Sequence, residues 1–197
     1  MSTVDVVDFE SLVREIKMLE AGKQPRLVAI DGRGGAGKTR LAERLQAELG
    51  DAVVVAVDDF WLPSAKRPGR EIVIADPGSD YDWRRLRDHL LVPLRAGRPG
   101  RYQRYDWPTD SLSEWHDVAS SGTVIVEGVF STRDELASYY DRRIWVETPA
   151  ELCLERGIER DGERGRDLWK NEWMPAYENY IERSNPRARA DYVIEGN

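Results

Sequence analysis

Runs of consecutive apolar residues alternate along the chain with segments in which apolar residues recur every three or four positions. The continuous runs predict five buried strands, at residues 26–31, 52–57, 123–127, 143–147 and 191–195. The periodic segments predict helices at residues 8–20, 38–49, 81–95, 132–140, 150–160 and 167–184. Strands that lack polar alternation and are separated by helices are typical of a parallel sheet covered on both faces. The pattern therefore predicts an α/β fold of three layers around one five-stranded parallel sheet.

The composition argues against several classes of protein. The chain has 197 residues and a net charge of −7, which argues against sequence-independent binding of a nucleic-acid polymer. Its longest aliphatic stretch, residues 52–57, is far shorter than the roughly 18 residues that cross a bilayer, and its first residues are acidic, unlike a signal peptide. A single cysteine, Cys153, cannot form an intrachain disulfide framework. We expect one cytoplasmic domain with no membrane partner.

A glycine-rich turn joins the first predicted strand to the helix at 38–49. It fits the pattern G-x-x-x-x-G-K-[ST] and consists of Gly32, Arg33, Gly34, Gly35, Ala36, Gly37, Lys38 and Thr39. Glycines let successive backbone N–H groups turn toward an anion, and the helix that follows adds the positive end of its dipole. Lys38 is then expected to reach the β and γ phosphates of a nucleotide, and the Thr39 hydroxyl to bind Mg²⁺. The turn predicts a nucleotide site.

Carboxylates follow two further predicted strands. Asp58 and Asp59 end the second strand, and Glu127 ends the third. Ligands of open parallel sheets bind outside the carboxyl ends of the strands, so we expect these side chains to face the phosphate loop. Asp58 is a candidate base for a substrate hydroxyl, and Glu127 is a candidate for holding Mg²⁺ directly or through water. The alternative for each aspartate is a helix cap or a surface turn.

Residues 156–170, which we call the arginine segment, concentrate positive charge. Four arginines lie within 11 residues there, and Gly162 and Gly165 interrupt the helical pattern, as expected for a flap that can move. Phosphoryl transfer needs positive charge over the oxygens of the moving group and exclusion of water. The alternative is an exposed helix with Glu–Arg pairs.

The order of these segments resembles the phosphate-loop kinases of the uridine kinase and phosphoribulokinase family. The resemblance runs from about Leu27 to the carboxyl terminus. Residues 57–61, V-D-D-F-W, are similar to the family's Q-D-S-F-Y, and residues 126–129, V-E-G-V, are similar to F-E-G-I. Residues 160–167, R-D-G-E-R-G-R-D, match the family's lid sequence R-D-x-x-R-G-R-D. The resemblance implies a phosphate-loop kinase fold with strand order 2-3-1-4-5.

The resemblance also implies an activity: transfer of the γ-phosphoryl group of ATP, with Mg²⁺, to a hydroxyl of a nucleoside-like metabolite. Asp58 falls on the catalytic base, and Lys38 supports the triphosphate. The arginine segment becomes a lid that clamps phosphates. Its three candidate clamps are Arg160, Arg164 and Arg166.

The acceptor is less well defined than the reaction. Tyr81-Asp82 resembles the F-D pair that binds ribose, and Tyr105 falls on the hairpin beside the base. Uridine kinases have a histidine five residues after that tyrosine, whereas this chain has Asp110. An ionised aspartate cannot donate a hydrogen bond. Ribosylnicotinamide, pantothenate or a sugar are therefore alternative acceptors.

Two further alternatives remain at this stage. One is a regulatory protein that hydrolyses a nucleotide slowly, and the other is a kinase-like protein without activity. The arginine segment and the absence of an N-K-x-D-type guanine motif argue against the first. The presence of Lys38, Thr39, Asp58 and Glu127 argues against the second. We expect a single kinase domain over residues 1–197, with an additional helix in residues 1–24; the sequence leaves the oligomeric state open.

Overall fold

The central sheet is parallel and carries the predicted strands in the predicted order. The computed structural model describes residues 5–19 and 24–196. The strands of this sheet, in chain order, are β1 (Asp5–Val6), β2 (Arg26–Asp31), β3 (Ala52–Ala56), β6 (Thr123–Glu127), β7 (Arg142–Glu147) and β8 (Tyr192–Glu195), while β4 (Gly100–Asp106) and β5 (Ser111–Val118) form a separate antiparallel pair. The sheet order is β1-β8-β7-β2-β6-β3. The five predicted strands therefore have the order 2-3-1-4-5, and the short strand β1 extends the edge beside β8.

Helices connect the strands as the apolar periodicity predicts. They are α1 (Phe9–Met18), α2 (Lys38–Leu49), α3 (Arg70–Ala75), α4 (Trp83–Leu86), α5 (Val92–Arg95), α6 (Asp134–Ala137), α7 (Ala150–Asp161), α8 (Arg166–Leu168), α9 (Met174–Ser184) and α10 (Pro186–Arg189). A π-helical turn, Arg87–Leu91, joins α4 to α5, and another, Trp169–Trp173, joins α8 to α9. Each of these two runs is one continuous helix, as predicted at 81–95 and 167–184.

Side-chain capping explains where two of the helices begin. Asp8 caps α1 because its carboxylate accepts a hydrogen bond from the Ser11 amide at 2.7 Å. Asp82 caps α4 in the same way, so that helix begins after Tyr81 rather than at it. The helix predicted at 132–140 is shorter, because the Thr132 amide and hydroxyl both donate to Asp31 instead of starting a helix. Residue 20, predicted to end the first helix, lies outside the described residues.

Two apolar layers cover the sheet. On one face, α1 and α2 pack over β2 and β7, with Leu12, Ile16 and Leu45 fully buried. On the other face, the helix from α4 to α5, the β4–β5 hairpin and α9 form a second cluster around Phe60, Leu90 and other buried residues. This arrangement gives the predicted three layers, and it leaves the carboxyl ends of β2, β3 and β6 at one edge.

Candidate active site

The phosphate loop leaves β2 and enters α2 with very little free space around its backbone. A Cβ atom on Gly34 would lie 2.8 Å from the Trp169 ring and 2.9 Å from the Tyr177 hydroxyl. Gly35 has a backbone φ of +79°, and a Cβ there would collide with the Cys153 carbonyl oxygen. Gly37 also has a positive φ and sits at the start of α2. The glycines of this turn therefore permit a conformation and a close approach that larger residues would prevent.

Lys38 lies inside this loop. Its side chain is buried, and its ammonium group donates a hydrogen bond to the Arg33 carbonyl oxygen at 2.7 Å. Burial lowers the pKa of Lys38, while the nearby carboxylates of Glu127, Asp31 and Asp58 oppose that shift. The Arg33 side chain itself points away toward α9 and pairs with Glu178 at 2.7 Å.

Thr39 and Glu127 bring two oxygen ligands together at the carboxyl ends of β2 and β6. The Thr39 hydroxyl donates to Glu127 Oε1 at 3.1 Å. Glu127 is buried, which raises its pKa, and the Lys38 charge lowers it. No group of three or more His, Cys, Asp and Glu side chains within residues 5–19 and 24–196 is arranged to hold a metal. Mg²⁺ nevertheless fits this pair, because it binds through one or two protein oxygens together with phosphates and water.

Asp58 and Asp59 lie in a 3₁₀ turn, Val57–Phe60, directly after β3. The Asp58 side chain is exposed and accepts a hydrogen bond from the Tyr81 hydroxyl at 3.1 Å. Burial raises the pKa of Tyr81 well above its ordinary value, so this hydroxyl stays protonated and remains a donor. Asp59 has a different partner and accepts a hydrogen bond from the Tyr102 hydroxyl of the hairpin at 2.8 Å. Of the two neighbouring aspartates, Asp58 is the one whose charge acts on Lys38 of the phosphate loop.

Tyr105 and Asp110, the two hairpin residues predicted to bind the phosphoryl acceptor, contact each other. The Tyr105 hydroxyl donates to Asp110 Oδ1 at 2.6 Å, and the Ser64 amide donates to the same oxygen at 2.9 Å. Hydrogen bonds from Ser64 and from Tyr105 lower the pKa of Asp110 to about 2. Asp110 therefore stays ionised at neutral pH and attaches the hairpin tip to the loop that follows Trp61.

Asp82 also has partners of its own. Its Oδ1 accepts the Arg85 amide at 3.1 Å, and its Oδ2 lies 3.5 Å from the Arg85 guanidinium. The neighbouring Tyr81 packs edge-on against Trp61, with ring centroids 4.5 Å apart. A cavity of about 340 Å³ opens beside these residues and is lined by Tyr81, Asp82, Trp83 and Arg133 among others.

Two arginines of the arginine segment form ion pairs with carboxylates of the same segment. Arg160 binds Asp161 at 2.8 Å and lies over the Trp169 ring, and Arg166 binds Glu163. Arg164 is exposed and forms no ion pair with another described residue. A backbone φ of +73° at Gly162 ends α7 and separates Arg160 from the other two arginines.

Asp31, at the end of β2, is a buried carboxylate that the sequence pattern did not single out, and it holds several segments of the site together. Asp31, 1% exposed, accepts hydrogen bonds from the amides of Gly32, Phe130 and Thr132 at 2.8–3.1 Å. It also accepts the hydroxyls of Thr132 and Tyr180, at 2.6 and 2.8 Å. These bonds fasten the phosphate loop to the loop after β6 and to α9. A charged residue at the end of an otherwise apolar strand is the signal that indicates such a role.

Comparison with known proteins agrees with this geometry. Residues 27–196 match the model of the phosphoribulokinase / uridine kinase family. The chain belongs to this family. As a family member it is similar to the uridine kinase of Mycoplasma pneumoniae, with 31% identity over 87% of this chain and 85% of the relative. The uridine kinase of Ureaplasma parvum is 27% identical over 87% of this chain and 89% of its own.

Solved structures share the fold of this chain. A Bacillus stearothermophilus protein described as a possible uridine kinase superposes with a TM-score of 0.74 and 25% identity, over 94% of this chain and 96% of its own. D-glycerate 3-kinase from Cryptococcus neoformans shares the fold, with a TM-score of 0.57 and 15% identity over 86% of this chain and 84% of its own. This phosphoribulokinase / uridine kinase family member is therefore a phosphotransferase whose acceptor is a hydroxyl group. No helix among the described residues is long and apolar enough to span a membrane.

Proposed function

We propose that this protein transfers the γ-phosphoryl group of ATP to a hydroxyl of a nucleoside. The observation that carries the proposal is the common edge at which Lys38, Thr39, Glu127 and Asp58 meet. Asp58 is near enough to Lys38 for their charges to interact, so an acceptor hydroxyl beside Asp58 would lie near phosphates held by the loop. The uridine kinases of Ureaplasma parvum and Mycoplasma pneumoniae also match this chain over 87% of its length.

Each residue then has a distinct task. The backbone amides of residues 32–37 and the Lys38 ammonium hold the phosphates. Thr39 and Glu127 hold Mg²⁺, which neutralises charge on the triphosphate. Asp58 orients the acceptor hydroxyl and takes its proton, and Tyr81 keeps the Asp58 carboxylate in place. Because little covalent chemistry is required of the protein, most of the rate enhancement comes from positioning and from fixed charge.

The arginine segment acts as a lid in this proposal. The charge of Arg160 interacts with that of Asp58, so it is already close to the reaction centre. On ATP binding, Arg160, Arg164 and Arg166 turn toward the phosphates, and two of them exchange Asp161 and Glu163 for phosphate oxygens. Such an exchange excludes water and adds positive charge over the transferring group.

In this proposal the nucleoside part of ATP binds beside the loop. A cavity of about 450 Å³ is lined by Gly37, Arg40 and Glu195 together with residues 6–10. The guanidinium of Arg44 stacks on the Phe9 ring, 3.9 Å from its centroid, at this cavity. We propose that the segment before β2 forms one wall of the donor site.

On the acceptor side, Tyr81 and Asp82 border the smaller cavity, and the hydrogen bond between Tyr105 and Asp110 fixes the β4–β5 hairpin. The ring of Tyr105 packs edge-on against Trp107, with centroids 5.2 Å apart. Trp107 is 50% exposed and offers a flat surface to an aromatic base.

The test is an acceptor panel with Mg·ATP that follows ADP release and acceptor phosphate together. The panel contains uridine, cytidine, purine nucleosides, ribosylnicotinamide, pantothenate and simple sugars. We expect equal amounts of ADP and nucleoside monophosphate. ADP release that no acceptor increases would instead support a regulatory NTPase, and phosphate on a non-nucleoside alone would refute the proposed acceptor class.

A further inference from the structure

The acceptor loop, residues 62–80, links the acceptor side of the site to the arginine segment. It ends before Tyr81, whose hydroxyl contacts the proposed base Asp58. In its middle lies the helix α3, which is only six residues long. A helix of that length is not stable on its own in water. The position of α3 therefore depends on the elements that it packs against.

The partner of α3 is the continuous helix at residues 166–184, which begins inside the arginine segment. From this helix, the Asn179 side-chain amide donates to the Ile74 carbonyl oxygen, and the Arg183 guanidinium donates to that of Ala75. These are the last two carbonyl groups of α3, and the last carbonyls of a helix have no partner within the helix itself. The C-terminal end of α3 is thus fixed by side chains of the longer helix.

Arg70, the first residue of α3, contacts two carboxylates of the same helix. Its Nη2 lies 2.7 Å from Asp167 Oδ2, and its Nε lies 3.1 Å from Glu172 Oε2. The other oxygen of Asp167 accepts the Asn171 side-chain amide at 2.7 Å. Asp167 directly follows the candidate clamp Arg166, whereas Glu172 lies beyond the arginine segment. The planar guanidinium of arginine suits such a bridge, because its N–H donors point in fixed directions.

The acceptor loop is also attached to the hairpin. Near its start, the Ser64 amide donates to Asp110 Oδ1 at 2.9 Å, and the Arg67 guanidinium lies 3.5 Å from the same oxygen. The loop therefore has three attachments: the hairpin at one end, the arginine segment through Arg70, and the Tyr81–Asp58 contact at the other end. A change in the order of this loop on the acceptor side can reach the arginine segment by this route.

We propose that Arg70 is a positioning residue that couples closure of the arginine segment over ATP to occupation of the acceptor site. The proposal rests on the function proposed above and adds a link between its two substrates. An acceptor that contacts the hairpin and Tyr81 fixes the acceptor loop. Arg70 then holds Asp167, and with it the neighbouring Arg166, in a narrower range of positions.

The consequence is cooperative binding of the two substrates. When the acceptor has already fixed the loop, ATP has less of the arginine segment left to order, so ATP binds more tightly. By linkage, ATP must strengthen binding of the acceptor by the same factor. Closure over ATP alone is correspondingly less favourable, which limits hydrolysis of ATP when no acceptor is present.

The experiment measures the Kd of a non-hydrolysable ATP analogue with Mg²⁺ by calorimetry, with and without a saturating acceptor. The acceptor is uridine or, if uridine is not phosphorylated, the panel compound with the highest kcat/KM. In the wild type, the acceptor should lower this Kd about fivefold, at the low end for coupled sites because Arg70 and Asp167 are partly exposed. In Arg70→Gln the ratio of the two Kd values should fall below about twofold. Lys66→Gln is the matched control and should keep the wild-type ratio, because Lys66 is an exposed cation of the same loop that pairs with no other described residue.

The ratio of the two Kd values separates coupling from a purely structural role. Loss of structure would change the analogue Kd equally with and without acceptor, or would lower the thermal unfolding midpoint, and would leave the ratio unchanged. Asp167→Asn removes the link from the other side, so the inference stays testable if one variant fails to fold. The double variant, Arg70→Gln with Asp167→Asn, should lose no more coupling than Arg70→Gln alone, because both changes break the same contact.

The possible outcomes separate the two proposals. A wild type that phosphorylates nothing in the panel refutes the proposed function and this inference with it. If the wild type is active but its acceptor does not change the analogue Kd, or if Arg70→Gln keeps the full ratio, the role of Arg70 is wrong and the proposed function stands. Equal loss of coupling in Lys66→Gln would also overturn that role, because the effect would then come from the charge of the loop rather than from the contacts of Arg70.

Discussion

At the scale of single residues, the site depends on direction as much as on residue type. Asp58 and Asp59 are adjacent and chemically identical, yet Asp58 is exposed and accepts the Tyr81 hydroxyl, while Asp59 accepts the Tyr102 hydroxyl. Within the 3₁₀ turn after β3, the two carboxylates therefore have different partners. The sequence predicts a carboxylate at the end of this strand, and only the family resemblance favours Asp58 over its neighbour.

Asp58→Asn should therefore lower turnover by about 10²–10⁴-fold, the usual contribution of a general base. Binding of ATP should change little, because Asp58 is not among the residues that we propose hold the nucleotide. Steady-state kinetics and nucleotide titration measure the two effects separately. Asp59→Asn is the matched control and should lose much less activity; an equal loss in both variants would contradict the assignment.

Gly34→Ala tests the packing of the phosphate loop. The added Cβ would lie 2.8 Å from the Trp169 ring, so the loop must shift, and we expect at least about tenfold weaker ATP binding. Gly69→Ala is the control, because no atom lies within 4 Å of its Cβ position and its φ is −68°. Calorimetric titration with ATP measures the difference. Unchanged affinity in Gly34→Ala would show that the loop has space that its contacts do not indicate.

At the scale of elements, the strands and the long helices could be predicted from the sequence, but the side-chain hydrogen bonds that join distant elements could not. Continuous apolar runs identify β2, β3, β6, β7 and β8, because strands buried on both faces contain few polar residues. The hydrogen bonds of Asp31 join residues about 100 and 149 positions apart. No local pattern records that pairing. The same holds for Asp110, whose partner Ser64 is 46 positions away.

Tyr180→Phe measures how strongly Asp31 fastens α9 to the phosphate loop. It removes one donor from a buried carboxylate and should lower the free energy of unfolding by about 1–3 kcal/mol. Tyr140→Phe is the matched control, because the Tyr140 hydroxyl is buried without a partner in the described structure. Its removal should leave stability unchanged or raise it. Urea unfolding of both variants gives the comparison, and equal losses would contradict it.

Removing an ion pair of the arginine segment should improve ATP binding, whereas the other substitutions, apart from the controls, weaken activity, binding or stability. Glu163→Gln removes the carboxylate that binds Arg166, so ATP no longer competes with it. The KM for ATP should fall, by less than about fivefold because exposed ion pairs are weak. Glu155→Gln, on the exposed side of α7, should leave KM unchanged. A higher KM in Glu163→Gln would show that this pair positions Arg166 for ATP rather than withholding it.

At the scale of the whole molecule, the segment before the family match is part of the core. Residues 27–196 match the family model, yet Leu12 and Ile16 of α1 are fully buried against the rest of the fold. The sequence predicts an additional helix, but β1 is only two residues long and gives no pattern of its own. It nevertheless pairs in parallel with β8 at the edge of the sheet.

Leu12→Ala should consequently destabilise the whole protein by about 2–5 kcal/mol, as expected for a large-to-small change in a packed core. Met18→Ala, 77% exposed on the same helix, is the control and should change stability by less than about 0.5 kcal/mol. Denaturant unfolding measures both. A small effect of Leu12→Ala would show that α1 is a peripheral addition.

Trp169 lies where its fluorescence should respond to events at the candidate active site. Its ring contacts the Gly34 position of the phosphate loop, its indole N–H binds Asp161 at 2.8 Å, and Arg160 lies over it. Both the arrival of phosphates and the release of Arg160 from Asp161 would alter the surroundings of this indole. The intrinsic fluorescence of the unlabelled protein should therefore report nucleotide binding and the proposed closure of the arginine segment in real time. Trp169→Phe would identify the part of the signal that comes from this ring.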